Sequence, residues 1–200
     1  MLDNARARAI ASNVVDPVAR ALLKVGLTPN VVTVTASLIV SAIVLATWSH
    51  GLFGWGMLLC APMVFGDLLD GTMARLSGNT SAWGSFLDSV MDRVTDAAII
   101  SSMLLYVQSQ GDSPALIAGM VALAATGLIP YIRAKAESLQ ISCKVGLMER
   151  SERLFVVGVA GVFAGFGVTQ SIAVSLYVLA ILNAFTVFQR LNAVRTGVSA

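Results

Sequence analysis

Charged residues are scarce in this sequence. Asp, Glu, Lys and Arg together make up 12% of the 200 residues, about half the share of an average soluble domain. Hydrophobic residues make up 56%, and the mean hydropathy is +0.81. This combination excludes a disordered chain and an ordinary soluble enzyme. The net charge of +2 gives no reason to expect a nucleic-acid partner.

Cysteine and aromatic residues are also few. Cys60 and Cys143 are the two cysteines, and they lie far apart without the spacing of metal ligands, so no disulfide framework is indicated. Aromatic residues make up 7% of the chain, and the apolar runs do not alternate with a period of two, so an outer-membrane barrel is disfavoured. The sequence predicts an all-α, polytopic membrane protein.

Six segments approach the length of about 20 mostly apolar residues that a spanning helix needs. They are Val31–Ser49, Leu52–Leu69, Phe86–Val107, Pro114–Ile132, Leu154–Val168 and Ser171–Phe188. The 13 Lys and Arg residues lie before the first segment, between or beside the second and third, between the fourth and fifth, or after the sixth, whereas the alternate loops near His50, Gly111 and Gly167 carry none. The positive-inside rule therefore predicts a multi-pass protein of the cell membrane with both termini and the active site cytoplasmic.

The chain is predicted to form one domain over residues 1–200. Residues 1–27 repeat apolar side chains near helical spacing between basic ones, as in Val18, Leu22 and Lys24, which predicts an amphipathic helix lying on the cytoplasmic leaflet. Residues 28–195 are predicted to form the six-helix membrane core.

Four aspartates dominate the chemistry of the sequence. Asp67 and Asp70 are three residues apart, and Asp88 and Asp92 are four apart, so each pair shares one helix face. The short connection between the pairs predicts antiparallel neighbouring helices whose carboxylates converge. Asp96 continues the second face one turn later, and a supporting or packing role is expected for it.

A carboxylate at the centre of a membrane-spanning helix costs roughly 2.5–3.5 kcal/mol. Four carboxylates near one membrane face cost less each, but their sum is still several kcal/mol. Divalent cations would offset that cost, and all-oxygen ligands favour Mg²⁺, Mn²⁺ or Ca²⁺ over zinc. Two such ions suit displacement at phosphorus. A small cation transporter is the alternative from another class, because intramembrane acids can also mark an ion pathway.

The spacing Asp67-x2-Asp70-Gly71-x2-Ala74-Arg75-x8-Gly84-x3-Asp88-x3-Asp92 resembles the complete signature of the CDP-alcohol phosphotransferases, a family of integral membrane enzymes. The resemblance implies attack of an alcohol hydroxyl on the β-phosphate of a CDP-linked lipid, with loss of CMP. It assigns the four aspartates as ligands of divalent metal, two Mg²⁺ ions with Mn²⁺ as the alternative, and Asp92 also as general base. A homodimer is implied as well.

The same resemblance implies a binding site for the CDP-lipid. Gly71, Ala74, Arg75 and Gly84 would frame the cytidine diphosphate. Further contacts are expected from Ser81 and from the four residues Pro29, Asn30, Val31 and Val32.

A second polar region, between the fourth and fifth segments, is basic. Together with Arg195 after the sixth segment, its residues Arg133, Lys135, Arg150 and Arg153 suit a phosphorylated acceptor. The positive-inside rule accounts for the number of these charges. The strings Arg-Ala-Lys-Ala-Glu and Glu-Arg-Ser-Glu-Arg, with Gly26–Thr33, resemble the actinobacterial phosphatidylinositol phosphate synthases. The expected donor is then CDP-diacylglycerol and the expected acceptor inositol 1-phosphate; glycerol 3-phosphate is the alternative acceptor.

Gly161 and Gly165 form a small-xxx-small pattern that allows close helix packing. Either a homodimer seam or an internal contact fits this pattern.

Overall fold

The computed structural model describes the backbone of residues 15–78 and 81–198, and within these it leaves the side chains of residues 64–68 and 70 undescribed. In this part of the chain all regular structure is helical, which confirms the predicted all-α class. The helices are α1 (15–24), α2 (Pro29–Thr47), α3 (Phe53–Cys60), α4 (Gly66–Ser77), α5 (Ala82–Ser109), α6 (Ser113–Ser138), α7 (Arg150–Gly165) and α8 (Gln170–Val198).

Near the N-terminus the structure describes α1 over residues 15–24. Val15 and Ala19 are buried there, whereas Val18 is exposed. Its end is set by Gly26, which adopts a φ of 85° while its N–H donates to Leu23 O at 3.1 Å, as at many helix C-termini. The predicted apolar positions before residue 15 lie outside the described residues.

The predicted second segment, Leu52–Leu69, does not form one helix. It comprises α3, a 3₁₀ stretch over Ala61–Phe65, and the start of α4. Pro62 lies in the 3₁₀ stretch, and a proline there removes a backbone donor and fixes φ, so that a continuous α-helix is interrupted. As a result Asp67 and Asp70 lie in the first two turns of a separate helix.

The other predicted segments correspond to single helices with shifted ends. Helix α2 begins at Pro29, where the hydroxyl of Thr28 accepts from Val31 N at 3.4 Å, and a 3₁₀ turn at Trp48–His50 extends it. Helix α6 begins after Asp112, whose carboxylate accepts from Ala115 N at 3.0 Å. Its C-terminal end reaches Ser138, so the linker to α7 is confined to residues 139–149.

Among the described residues, 3 helices are long and apolar enough to cross a membrane: Pro29–His50, Ser113–Ser138 and Gln170–Val198. This agrees with the membrane class read from composition.

The chain divides into two compact units. The first comprises Met1–Ile43 and Leu58–Thr95, and among its described residues Ala19 and Met73 are fully buried. The second comprises Val44–Met57 and Asp96–Ala200; in it α8 packs along α6 and against α7, and Met103, Ile172 and Leu176 are buried.

The paired glycines of α7 serve a contact within the second unit. A Cβ built on Gly161 would lie 2.8 Å from the Trp48 ring, and one on Gly165 would lie 3.1 Å from Gly54 Cα. The first distance is shorter than real Cβ contacts, and the second is tighter than most of them. The small-xxx-small pattern therefore marks an internal seam, where two backbones and an indole approach closely.

Candidate active site

The four signature aspartates lie on α4 and on the first half of α5. Asp67 and Asp70 are in the first two turns of α4, but their side chains lie outside the described residues. On α5, Asp88 is exposed and the side chain of Asp92 is 18% exposed. Among the residues searched, no group of three or more His, Cys, Asp or Glu residues is positioned to hold a metal. Convergence of the four carboxylates therefore stays a prediction.

The described half of this aspartate set fits a hard divalent cation. Asp88 and Asp92 are four residues apart in one helix, which places both carboxylates on the same face. Arg93 NH1 donates to Ser89 O at 2.9 Å and lies 3.4 Å from Asp92 Oδ2, so the positive charge near this carboxylate is the guanidinium of Arg93. Oxygen donors of this kind suit Mg²⁺ or Mn²⁺.

Three residues predicted to bind the CDP-lipid meet where α2 and α5 begin. The hydroxyl of Ser81 accepts from Gly84 N at 3.0 Å and so caps α5. A Cβ built on Gly84 would lie 3.0 Å from Asn30 Oδ1 and 3.3 Å from Ser81 Oγ. Because Gly84 has no side chain, the amide of Asn30 and the hydroxyl of Ser81 lie close to its bare backbone. Pro29, Val31 and Val32 occupy the same first turn of α2.

Another part of the predicted CDP-lipid site is the face of α4 that carries Gly71 and Arg75. Arg75 is exposed, and its NH2 group donates to Thr72 Oγ1 at 2.8 Å. A Cβ on Gly71 would meet Arg75 NH1 at 3.6 Å, an ordinary contact. Thr72, which the sequence did not single out, therefore directs this guanidinium. Ala74 lies on the same helix and is half-buried.

The predicted acceptor residues belong to the second unit and differ in environment. Lys135 in the last turn of α6 and Arg195 in the last turn of α8 are exposed. Arg133 donates to Glu137 Oε1 at 3.0 Å across one helical turn. Arg150 is the first residue of α7, and its Nε lies 3.8 Å from Asp96 Oδ1.

Arg153 differs from these four because it is buried. It is 6% exposed, its NH2 group donates to Asp96 Oδ2 at 2.7 Å, and its NH1 group donates to Met148 O at 3.4 Å. Asp96 thus faces two arginines of α7, which defines the supporting role expected for it. A carboxylate buried in this way offsets the cost of burying a guanidinium.

The acidic residue Glu152 lies among the arginines at the start of α7. The Ser151 hydroxyl donates to Glu152 Oε2 at 3.0 Å. As an acid in the first turn of α7, Glu152 also has a favourable position relative to the helix dipole.

Helix α8 carries a buried polar face. Asn183, Thr186 and Arg190 are almost inaccessible to solvent. Their spacing of three and four residues, in a helix otherwise rich in apolar residues, is the sequence signal that could have identified one face.

Comparison with known proteins agrees with this reading of the aspartate signature. The CDP-alcohol phosphatidyltransferase family matches residues 26–188. The phosphatidylinositol phosphate synthase of Streptomyces avermitilis is 38% identical over 200 residues, covering 96% of this chain and 82% of that protein. The enzyme of the same name from Cutibacterium acnes is 39% identical, covering 94% of this chain and 95% of its own.

Solved structures show the same fold. The Mycobacterium tuberculosis phosphatidylinositol phosphate synthase with CDP-DAG bound matches with a TM-score of 0.87 at 33% identity, covering 92% of this chain and 94% of that one. The same enzyme in complex with manganese and citrate gives a TM-score of 0.86 at 33% identity, with coverages of 92% and 90%. With its full aspartate signature and a match over most of its length, this chain belongs to the CDP-alcohol phosphatidyltransferase family.

Proposed function

We propose that this protein is a phosphatidylinositol phosphate synthase, which transfers a phosphatidyl group from CDP-diacylglycerol to inositol 1-phosphate and releases CMP. The observation that carries the proposal is the unbroken signature from Asp67 to Asp92, in a chain 38% identical over 96% of its length to an enzyme of that name. Its relative from Mycobacterium tuberculosis has been solved with CDP-DAG bound.

The metal ligands in this proposal are Asp67, Asp70, Asp88 and Asp92, and the ions are Mg²⁺, two per site, with Mn²⁺ as a substitute. A relative solved in complex with manganese and citrate supports a divalent ion. When bound, such ions would neutralise the pyrophosphate and stabilise the departing CMP.

The reaction is a displacement at the β-phosphorus of the CDP-lipid. The acceptor hydroxyl oxygen bonds to that phosphorus, the bond from phosphorus to the bridging oxygen breaks, and CMP departs with this oxygen. The hydroxyl proton passes to the carboxylate of Asp92, the general base. Asp92 suits this task because its side chain is mostly buried yet partly accessible.

Recognition of the CDP headgroup is assigned to the starts of α2 and α5 and to one face of α4. Asn30, Ser81 and Gly84 supply an amide, a hydroxyl and exposed backbone within a few ångströms of one another. Arg75, directed by Thr72, supplies a cation for the diphosphate. Pro29, Val31, Val32, Gly71 and Ala74 complete the proposed surface.

The phosphate of the acceptor is assigned to the basic residues Arg133, Lys135, Arg150, Arg153 and Arg195. The exposure of Lys135 and Arg195 suits direct contact with a soluble anion. The buried ion pair of Arg153 with Asp96 fixes the direction of its guanidinium and still leaves it further N–H donors.

The proposed setting is the cell membrane, which the chain crosses six times. Helices α3 and α4 together make one pass, and α2, α5, α6, α7 and α8 make one pass each. Large apolar side chains such as Phe155, Phe166 and Phe188 are strongly exposed, as expected for lipid contact. The proposal also includes an interfacial helix over residues 1–27 and a single catalytic domain of six helices over residues 28–195. It places the active site on the cytoplasmic side and makes the protein a homodimer.

The test is turnover by the purified protein with CDP-diacylglycerol and Mg²⁺, with inositol 1-phosphate, free inositol, glycerol 3-phosphate and serine supplied separately. We expect CMP release with inositol 1-phosphate. Turnover of glycerol 3-phosphate alone would make the protein a phosphatidylglycerophosphate synthase. Ion flux without CMP release would instead indicate a cation transporter.

A further inference from the structure

Three side chains of α8 hold the backbone of the linker between α6 and α7, residues 139–149. Thr186 Oγ1 accepts from Met148 N at 3.0 Å, and Gln189 Oε1 accepts from Leu147 N at 3.1 Å. Arg190 Nε donates to Val145 O at 2.9 Å. Four consecutive linker residues, 145–148, are therefore spanned by side-chain bonds from less than two turns of one helix.

Arg190 connects this linker to α6 as well. It is 2% exposed, its NH1 group donates to Ile129 O at 2.6 Å, and its NH2 group lies 3.7 Å from Glu149 Oε1. A buried cation is tolerated only where such acceptors surround it. Because those acceptors belong to α6, to Val145 and to Glu149 at the end of the linker, the position of this guanidinium specifies the path of the linker.

The linker backbone is pressed directly against α8 at Gly146. This residue has a φ of 141°, and a Cβ there would lie 2.8 Å from Thr186 Cγ2 and 3.2 Å from Arg190 Nε. Neither the backbone angle nor the space admits a side chain. The contact is thus built into the linker, and the linker has little room to move away from α8.

Met148 is bonded both to α8 and to Arg153. Its N–H is held by Thr186, and its carbonyl accepts from Arg153 NH1, whose other terminal nitrogen donates to Asp96. We propose that Thr186 and Arg190 are positioning residues, which set the direction of the Arg153 guanidinium toward an acceptor phosphate through the backbone of Met148. This proposal rests on the proposed function, since it presumes that Arg153 binds that phosphate.

The direction of the guanidinium matters because its donors form a rigid fork that must match the oxygen atoms of a phosphate. If the linker moved by even about 1 Å, this match would be lost, and misplacements of that size reduce enzyme efficiency by up to about 100-fold. The donor lipid should be affected little, because its proposed contacts lie on α2, α4 and the first turn of α5, whereas Arg153 meets α5 three turns later, at Asp96.

The experiment compares three conservative variants. Thr186→Val removes the hydroxyl that accepts from Met148, and Thr186→Ser keeps it. Thr126→Val is the matched control, because the buried Thr126 Oγ1 accepts from Asn183 Nδ2 at 2.9 Å, a bond that joins α6 to α8 and not α8 to the linker. For each variant, KM is measured for inositol 1-phosphate and for CDP-diacylglycerol, and amide hydrogen exchange is measured over residues 144–150 without substrate.

We expect Thr186→Val to raise KM for inositol 1-phosphate about tenfold, to leave KM for CDP-diacylglycerol within about twofold, and to speed exchange at 144–150. Thr186→Ser should behave as the parent protein does. Equal values for Thr186→Val and Thr126→Val in both measurements would overturn the proposal. If the parent protein uses glycerol 3-phosphate instead, the proposed function has failed. The same KM comparison with that acceptor then decides the positioning role, since the phosphate is shared.

Discussion

The carboxylate of Asp96 lies 2.7 Å from the guanidinium of Arg153, and both side chains are buried. This pair joins α5 to α7 within the second unit, and Arg150 approaches the other carboxylate oxygen of Asp96 at 3.8 Å. Asp96 follows Asp92 by four residues in the same helix. A carboxylate committed to two arginines is a counter-ion rather than a fifth metal ligand.

Replacing Asp96 by asparagine should destabilise the protein strongly. The change leaves the Arg153 guanidinium buried without its counter-charge, and breaking a buried pair from one side costs about 3–5 kcal/mol. Thermal unfolding in detergent would measure the loss. A double-mutant cycle with Arg153→Gln should give a large coupling between the two sites.

The control for this prediction is the exposed pair of Arg133 with Glu137. Its side chains are 42% and 56% exposed, and pairs of that kind contribute about 0–1 kcal/mol. Arg133→Gln should therefore leave the unfolding temperature almost unchanged. A loss as large as that of Asp96→Asn would show that burial does not decide the difference.

Adding a methyl group to Gly161 should also destabilise the fold. Its Cβ would lie 2.8 Å from the Trp48 ring and 3.0 Å from Met57 Sδ, and overpacking of this kind costs about 1–3 kcal/mol. Unfolding of Gly161→Ala in detergent checks the prediction.

Gly158, one turn earlier in α7, offers the matched control for Gly161. Nothing lies within 4 Å of a Cβ built there, and alanine is the better helix former by about 1 kcal/mol. Gly158→Ala should be neutral or stabilising. If both alanines had the same effect, the close approach of Trp48 to α7 would not limit stability.

Much of the fold could be predicted from the sequence because local signals agreed with the membrane environment. Asp112 begins α6 as a capping carboxylate does, and Gly26 ends α1 as a left-handed glycine does. Apolar runs of sufficient length gave α2, α6 and α8. The signature pointed to Gly84, and the wider family resemblance pointed to Asn30 and Ser81; the three residues meet in the structure.

What could not be predicted depends on contacts between distant residues. The break at Pro62 is different, because the proline is visible in the sequence and by itself favours an interruption, although the apolar run continues through it. The burial of Arg153 depends on Asp96, 57 residues away, and a basic string by itself suggests an exposed cation. The bonds from α8 to the linker could not be predicted, because the sequence alone does not show which face of α8 turns inward.

Gly84→Ala should weaken binding of the CDP-lipid selectively. The added methyl would lie 3.0 Å from Asn30 Oδ1 and crowd the hydroxyl of Ser81. We expect KM for CDP-diacylglycerol to rise about tenfold, because small displacements of positioned groups are costly, and KM for inositol 1-phosphate to stay constant. Gly127→Ala, at a position open to space in α6, is the control and should change neither value. A rise in the acceptor KM alone would remove Gly84 from the proposed donor site.

Exchanging Asp92 for asparagine should abolish turnover while CDP-lipid binding persists. Asparagine keeps the size of the side chain but cannot take the hydroxyl proton, and loss of a general base reduces the rate about 10²–10⁴-fold. Asp88, exposed and one turn earlier on α5, lacks this second role. Asp88→Asn should therefore raise the Mg²⁺ concentration for half-maximal activity and retain more turnover at saturating metal. Titrating both variants with Mg²⁺, and measuring CDP-lipid binding in parallel, separates the two roles: a full recovery of Asp92→Asn at high Mg²⁺ would assign that carboxylate to metal binding alone.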